Sequence, residues 1–287
     1  MENNTFTVLP MSQRFNLVPG ETVEGSITVV NPADATEDFN YKTTIMPYGV
    51  VGNNYSADLT TETSYTAISK WIKIEEPTGK VAPNESKKIN FTITVPKDAP
   101  AGGQYAAIAV SSNNDDSVGN GVTVQNVFEL ASIIYAQVAG ETKHDGKVLE
   151  NNIPGFVVSP PITVSALINN QGNVHESATI VIAVTDFFTG QVILPTEDNP
   201  GEYSEIIMPD TERYIEREID NLPALGVIKV SQSIYYRGEL SQVEKEVFIC
   251  PIWFMTLVIL TIVTLIITVV QIIRKHRKNR GLRHIVA

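Results

Sequence analysis

Between residues 87 and 96 the chain alternates. In KKINFTITVP, Ile89, Phe91, Ile93 and Val95 fall on one side, and Asn90, Thr92 and Thr94 on the other. Period two over this length predicts a half-buried β-strand. Pro96 ends it, because proline has no N–H to give a ladder. KDAPAGGQ then turns the chain. Pro96 and Pro100 stiffen the corner, Gly102 and Gly103 permit a sharp bend, and YAAIAV from Tyr105 restarts as a strand.

The same grammar runs through the N-terminal half. FTVLP opens a strand, Pro19-Gly20 turns it, and Val23, Ile27 and Val29 mark the next, closed by Asn31-Pro32. Phe39 to Ile45 follows, then WIKI and a turn at Pro83-Asn84. Strands at this spacing predict a β-sandwich. Trp71 is the expected core anchor, since one indole fills much of a small sandwich. Tyr105, just after Gly-Gln, sits as in the tyrosine corner of immunoglobulin-like domains, where the hydroxyl bonds back to the backbone across the preceding bend.

Residues 111–121, SSNNDDSVGNG, read as a solvated hairpin loop, and the Asn113–Asp116 cluster has no defined calcium-loop spacing. The long apolar-rich run 121–139 predicts that the first domain, 1–128, passes directly into a second, 129–248. The second repeats the first weakly. PITVSALINNQGNVHESATIVIAV parallels ETVEGSITVVNPADATEDFNYKTTI, with Asn169 in the place of Asn31. The expected fold is all-β, two tandem immunoglobulin-like sandwiches followed by one transmembrane helix.

The period disappears at the C-terminus. Residues 252–273 run 22 positions without a charge, the length of a helix that crosses a bilayer, with Trp253 and Phe254 at one edge. The other edge, 274–287, carries Arg274, Lys275, Arg277, Lys278, Arg280 and Arg283 and no acid. The remaining 15 Lys+Arg stand against 32 Asp+Glu, leaving −17 over the rest of the chain. The positive-inside rule therefore predicts a basic cytoplasmic tail and an acidic ectodomain outside the cell membrane. MENNTFTVLP has neither a basic start nor an apolar core, so a signal peptide is expected to be missing from this sequence. Cys250, at the membrane edge, is the single cysteine. An extracellular β-protein without disulfides rests on its cores alone and suits a bacterium.

Catalytic patterns are not found: no Gly-x-Ser-x-Gly elbow, phosphate loop or cysteine nucleophile. His144 and His175 lie in polar loops beside Asp145 and Glu176 without zinc-ligand spacing. The acidic balance disfavours nucleic acid. The reading is non-enzymatic, with no metal, cofactor or small-molecule substrate.

In order, FTVLP, LVPGETVEGSITVVNP, WIKIEEPTGKVAPNESKKINFTITVPKDAPAGGQYAAI, a second β-domain, one apolar helix and a basic tail resemble the bacterial WxL-interacting proteins. Pro96 to Tyr105 is the most specific part. The resemblance implies peptidoglycan binding by the first domain and binding of host or cell-surface proteins by the second. It carries over no ligand-contacting residue. The alternative expectation is a structural subunit of a membrane-envelope complex, a stalk or pilus-chaperone-like module.

Overall fold

The computed structural model describes residues 6–51, 54–57, 62–112 and 129–283. The candidate calcium cluster and the first part of the 121–139 run lie outside them. The chain divides into two compact units. Unit 1 takes Met1–Lys147 with Ile168–Ser177 and Ile206–Arg213, and unit 2 takes the remainder.

Ten strands build unit 1: β1 (Thr7–Leu9), β2 (Ser12–Leu17), β3 (Thr22–Val30), β4 (Phe39–Val51), β5 (Asn54–Ala57), β6 (Ile72–Ile74), β7 (Thr78–Val81), β8 (Ser86–Thr94), β9 (Gly102–Ser112) and β10 (Glu129–Val138). One sheet has the order β1-β3-β8-β6, and the other has β2-β10-β9-β4-β5, with β7 also on β4. The two sheets face each other. Ile27, Val29, Ile89, Phe91 and Ile93 of the first meet Leu17, Tyr41, Ile108, Val110 and Ile134 of the second in one buried cluster. The alternation read at 87–95 is that of β8, which buries Ile89, Phe91 and Ile93 and pairs with β3 over nine positions.

Two expectations shift here. Strand β10 pairs with β9 over ten positions and runs parallel to β2, so the first sandwich includes residues placed by sequence in the second domain. Trp71 is half-buried at the margin of the core, at the end of a 3₁₀ turn, Ala67–Lys70. Tyr41, Phe91 and a group of isoleucines are the largest fully buried side chains at the centre.

The second pair of sheets uses β11 (Gly146–Asn152), β12 (Phe156–Val157), β13 (Ile162–Asn170), β14 (Glu176–Asp186), β15 (Val192–Leu194), β16 (Glu202–Ile207), β17 (Thr211–Ile219), β18 (Gly226–Tyr236) and β19 (Glu239–Ile249). Their orders are β11-β13-β17 and β12-β19-β18-β14-β15, with β16 on β14. Ile162, Val164, Ile180, Ile182, Ile228, Val230 and Val247 supply buried apolar side chains from both. The fold class is thus the expected one.

Helix α1 (Ile252–Arg283) closes the chain. Its first 23 residues, to Arg274, are long and apolar enough to cross a membrane, and none of that window is buried against protein. Trp253 and Phe254 stand at its start, ring centroids 5.7 Å apart. The helix continues past Arg274 through the positions of Lys275, Arg277 and Lys278. Its threonines satisfy themselves. Thr256 donates to Trp253 O, Thr261 to Leu257 O and Val258 O, Thr264 to Leu260 O and Thr268 to Thr264 O. Hydroxyls bonded to the preceding turn expose no unpaired donor, as hydrocarbon requires.

A tyrosine-lined corner as the candidate functional site

The corner predicted at 96–105 is the best-defined polar site of unit 1. β8 ends at Thr94 and β9 begins at Gly102, so Pro96 and Pro100 lie in the connection. Both glycines are demanded by close approach. Gly102 has φ +113°, and a Cβ there would stand 2.3 Å from Asn173 O. A Cβ on Gly103 would stand 2.0 Å from the Tyr105 hydroxyl. The Tyr105 ring therefore folds back over Gly103, two residues earlier on the same strand.

The hydroxyl of Tyr105 does not bond across the preceding bend, as the corner in its usual form would. It accepts the His175 N–H at 3.0 Å and lies 3.0 Å from His175 Nδ1. The segment bearing His175 is stitched down on the same side. Gly103 N–H donates to Asn173 O (2.7 Å), and Asn173 Nδ2 donates to Ala101 O (3.2 Å) and Glu141 O (2.9 Å). On the other flank, Tyr105 N–H donates to Tyr65 O (2.7 Å), and the buried Gln104 side chain spans Ile68 N–H (3.2 Å) and Ser64 O (2.8 Å). The segments 168–177 and 206–213 of unit 1 bring His175 and Met208 onto this outer face of the six-stranded sheet.

That cover is aromatic. Tyr48, Tyr65, Tyr105, Ala107 and Met208 form a buried cluster, with Tyr55 and Tyr135 packed against it. The ring pairs Tyr65–Tyr105, Tyr105–Tyr135 and Tyr48–Tyr135 stand 6.0, 5.9 and 6.2 Å apart near edge-to-face, a favoured geometry. His175 sits 5.6 Å from Tyr105 and 5.5 Å from Tyr135. The Arg213 guanidinium lies 4.0 Å above the Tyr55 ring, and Tyr55 OH donates to Ile206 O.

Burial sets the electrostatics. It raises Tyr48 and Tyr105 well above the ordinary phenol, and Tyr55 to about 12 despite the lowering effect of Arg213. It lowers His175, and the positive charge of Arg14 lowers it further, against a smaller opposing pull from Glu176. The imidazole is thus held neutral, able to accept the Tyr105 proton at Nδ1. A cleft of about 230 Å³ opens beside the corner. Its walls include Ser64, Tyr65, Gln104, Lys143, Asn173 and Asp210. Lys143 Nζ, one of its walls, pairs with Asp145 at 3.1 Å, and Asp210 adds a carboxylate to the lining.

The two loop histidines have different partners. His144 Nδ1 meets Glu176 Oε1 at 2.5 Å while His175 faces the tyrosines. Among the described residues no group of three His, Cys, Asp or Glu is placed to hold a metal. The open sheet edges are mostly short: β1, β6 and β15 have three residues each. The nine-residue β17 is longer and ends the order β11-β13-β17. It carries Glu212, Arg213, Glu216, Arg217 and Glu218, charges of the kind that blunt an edge. Sequence reasoning found the corner through its prolines and glycines. It missed the cover, because no local pattern links Tyr105 to His175.

No family model and no curated protein matches the chain. Solved structures do. A chaperone–tip adhesin complex of CFA/I fimbriae biogenesis matches 84% of this chain and 98% of its own, at 12% identity and TM-score 0.41. A Salmonella enterica structure of the SafA pilin with the SafB chaperone matches 87% and 98%, at 9% identity and TM-score 0.42. The CsuC–CsuE chaperone–tip adhesion subunit complex of Acinetobacter baumannii matches 84% and 98%, at 12% identity and TM-score 0.39. At these scores the fold rests on the strand pairing itself.

Proposed function

We propose that the protein is a non-enzymatic, membrane-anchored bacterial surface module that holds partner proteins of an envelope assembly close to the membrane. In this reading α1 spans the bilayer, the basic tail is cytoplasmic and both units lie outside. One observation carries it. Strand β19 ends at Ile249 and α1 begins at Ile252, leaving Cys250 and Pro251 between them. Two residues reach at most about 7 Å. A module meant to search far from the surface is mounted on a long flexible stalk. Here the last sheet is mounted directly on the anchor, which suits a fixed subunit.

Native electrophoresis of the full-length protein in mild detergent tests this. The expected result is a complex containing a second protein, lost when residues 252–273 are exchanged for an unrelated apolar helix of equal length. A lone chain in both cases refutes the subunit reading. The resemblance of residues 96–105 to WxL-interacting proteins supports a second reading, attachment of unit 1 to peptidoglycan. Co-sedimentation of the full chain with purified sacculi at low and high salt tests it, and a chain that stays in the supernatant removes it.

A further inference from the structure

The six-stranded sheet of unit 2 presents a row of exposed apolar side chains at the end that leads into α1. Phe156 of β12 and Phe248 of β19 are register partners, and Phe248 is also opposite Val227 of β18. Phe187 N–H donates to Val227 O, which carries the row onto the β14–β15 turn. Phe248 is 50% exposed and Phe188, at the tip of that turn, 77%. Val158 and Leu225, each one residue past a register partner of Ile249, are exposed at the same end.

The turn is built to hold its rings outward. Asp186 Oδ1 accepts from Phe188 N–H (3.0 Å), Thr189 N–H (2.7 Å) and Thr189 Oγ1 (2.8 Å), and Gly190 N–H closes on Asp186 O at 2.9 Å. Phe187 and Phe188 stand edge to face, centroids 5.2 Å apart. Two phenylalanines fixed in the open hold apolar area that a covering surface would remove from water.

We propose that this row seats on the lipid interface around the entry point of α1. The proposal rests on the reading of α1 as a membrane span. Its argument is continuity: Phe248 precedes the first helical residue by four positions, a path of about 14 Å at most, so the row cannot stand far from the head groups. Aromatic side chains favour that layer. The next row fits as well. Lys229 is opposite Glu246 and pairs with Glu244 at 2.8 Å, so this row brings both signs of charge to the zwitterionic head-group level. Farther along, Ser231, Ser233 and Gln242 are polar. The opposite end of the sheet carries one exposed apolar pair, Tyr235 and Leu240, eight positions from Phe248.

Single-tryptophan versions of the full chain in phosphatidylcholine vesicles test the seating. The probe is a lipid brominated near the head group. Trp71→Phe leaves Trp253 as the control for the span. Adding Trp253→Phe allows Phe188→Trp, Phe248→Trp or Tyr235→Trp to report alone. The proposal expects emission from Phe188→Trp and Phe248→Trp to shift to the blue and to be quenched severalfold more than that from Tyr235→Trp. If Trp253 is quenched while Phe188→Trp and Phe248→Trp match Tyr235→Trp, the seating is wrong and the span stands. Equal quenching at all three positions overturns the end-on seating. An unquenched Trp253 overturns the span and the seating together.

Discussion

The contact between Gly103 and Tyr105 yields a prediction whose sign is decided by geometry. Gly103 has an ordinary negative φ, so by chain entropy alone Gly103→Ala stabilises by about 0.4–1 kcal/mol. The structure predicts the opposite. The new methyl lies 2.0 Å from the Tyr105 hydroxyl and 2.7 Å from Cζ. The ring cannot swing away, because Tyr105 is fully buried and walled by Tyr65, Tyr135 and His175. Forced overpacking costs about 1–3 kcal/mol. Displacing the hydroxyl from the His175 N–H adds about 1–3 kcal/mol. Gly103→Ala should therefore lose about 1–5 kcal/mol net, a fall of roughly 3–15 °C in Tm for a unit of this size. Tyr105→Phe removes the nearest struck atom, leaving the 2.7 Å approach to Cζ, and should cost about 1–3 kcal/mol alone. The double variant should cost less than the sum by about 1 kcal/mol or more. Urea unfolding in a Trp253→Phe background reads this cleanly, since Trp71 is then the single tryptophan and reports on unit 1. A stabilised Gly103→Ala, or costs that add within about 0.5 kcal/mol, refutes the close-approach argument.

Two further outcomes follow from the same unit. His175 is held below its ordinary value of 6.5, so as pH falls through that value the unfolded chain takes a proton that the folded one refuses. Stability should be unaffected by this group above pH 7 and decline toward pH 5, by no more than about 1 kcal/mol given its partial exposure. The decline should be missing from His175→Asn in parallel denaturation curves, and identical pH profiles would contradict the assignment. Tyr41 is buried at the centre of the sandwich, and its hydroxyl has no hydrogen-bond partner among the described residues. Tyr41→Phe should be neutral or stabilising by about 1 kcal/mol in calorimetry, and a loss of that size would mean that the hydroxyl is satisfied.

What sequence made legible follows from how local each signal is. β8 buries one face, so its alternation is clean, and the apolar helix is legible from length alone. β9 shows where period fails. Residues 102–110 are buried on both faces, inward against the sandwich core and outward under the tyrosine cover, so the strand reads as a continuous small-apolar run. The internal likeness aligned Asn169 with Asn31. Asn31 binds Glu37 O and Val81 O through Nδ2, and the residue that repeats this work is its neighbour Asn170, bound to Val174 O and Ile207 O. Asn169 instead accepts Lys147 N–H. Composition finds the amide, but only backbone geometry says which of two adjacent buried amides makes those bonds. The reach from Tyr105 to His175 spans 70 residues, and no spacing rule operates at that range.

The junction at Cys250 and Pro251 also decides how the molecule bears load. In the proposed reading, with α1 in a membrane, a pull on the anchor enters through the C-terminal end of β19. β19 is laddered to β18 over eleven register pairs and to β12 at its loaded end. Tension along a strand asks its ladder bonds to slide together, whereas tension across it would open them one by one. A load that leaves through the far end of the sheet sets this ladder in shear, its stronger direction, with eleven register pairs sharing the force.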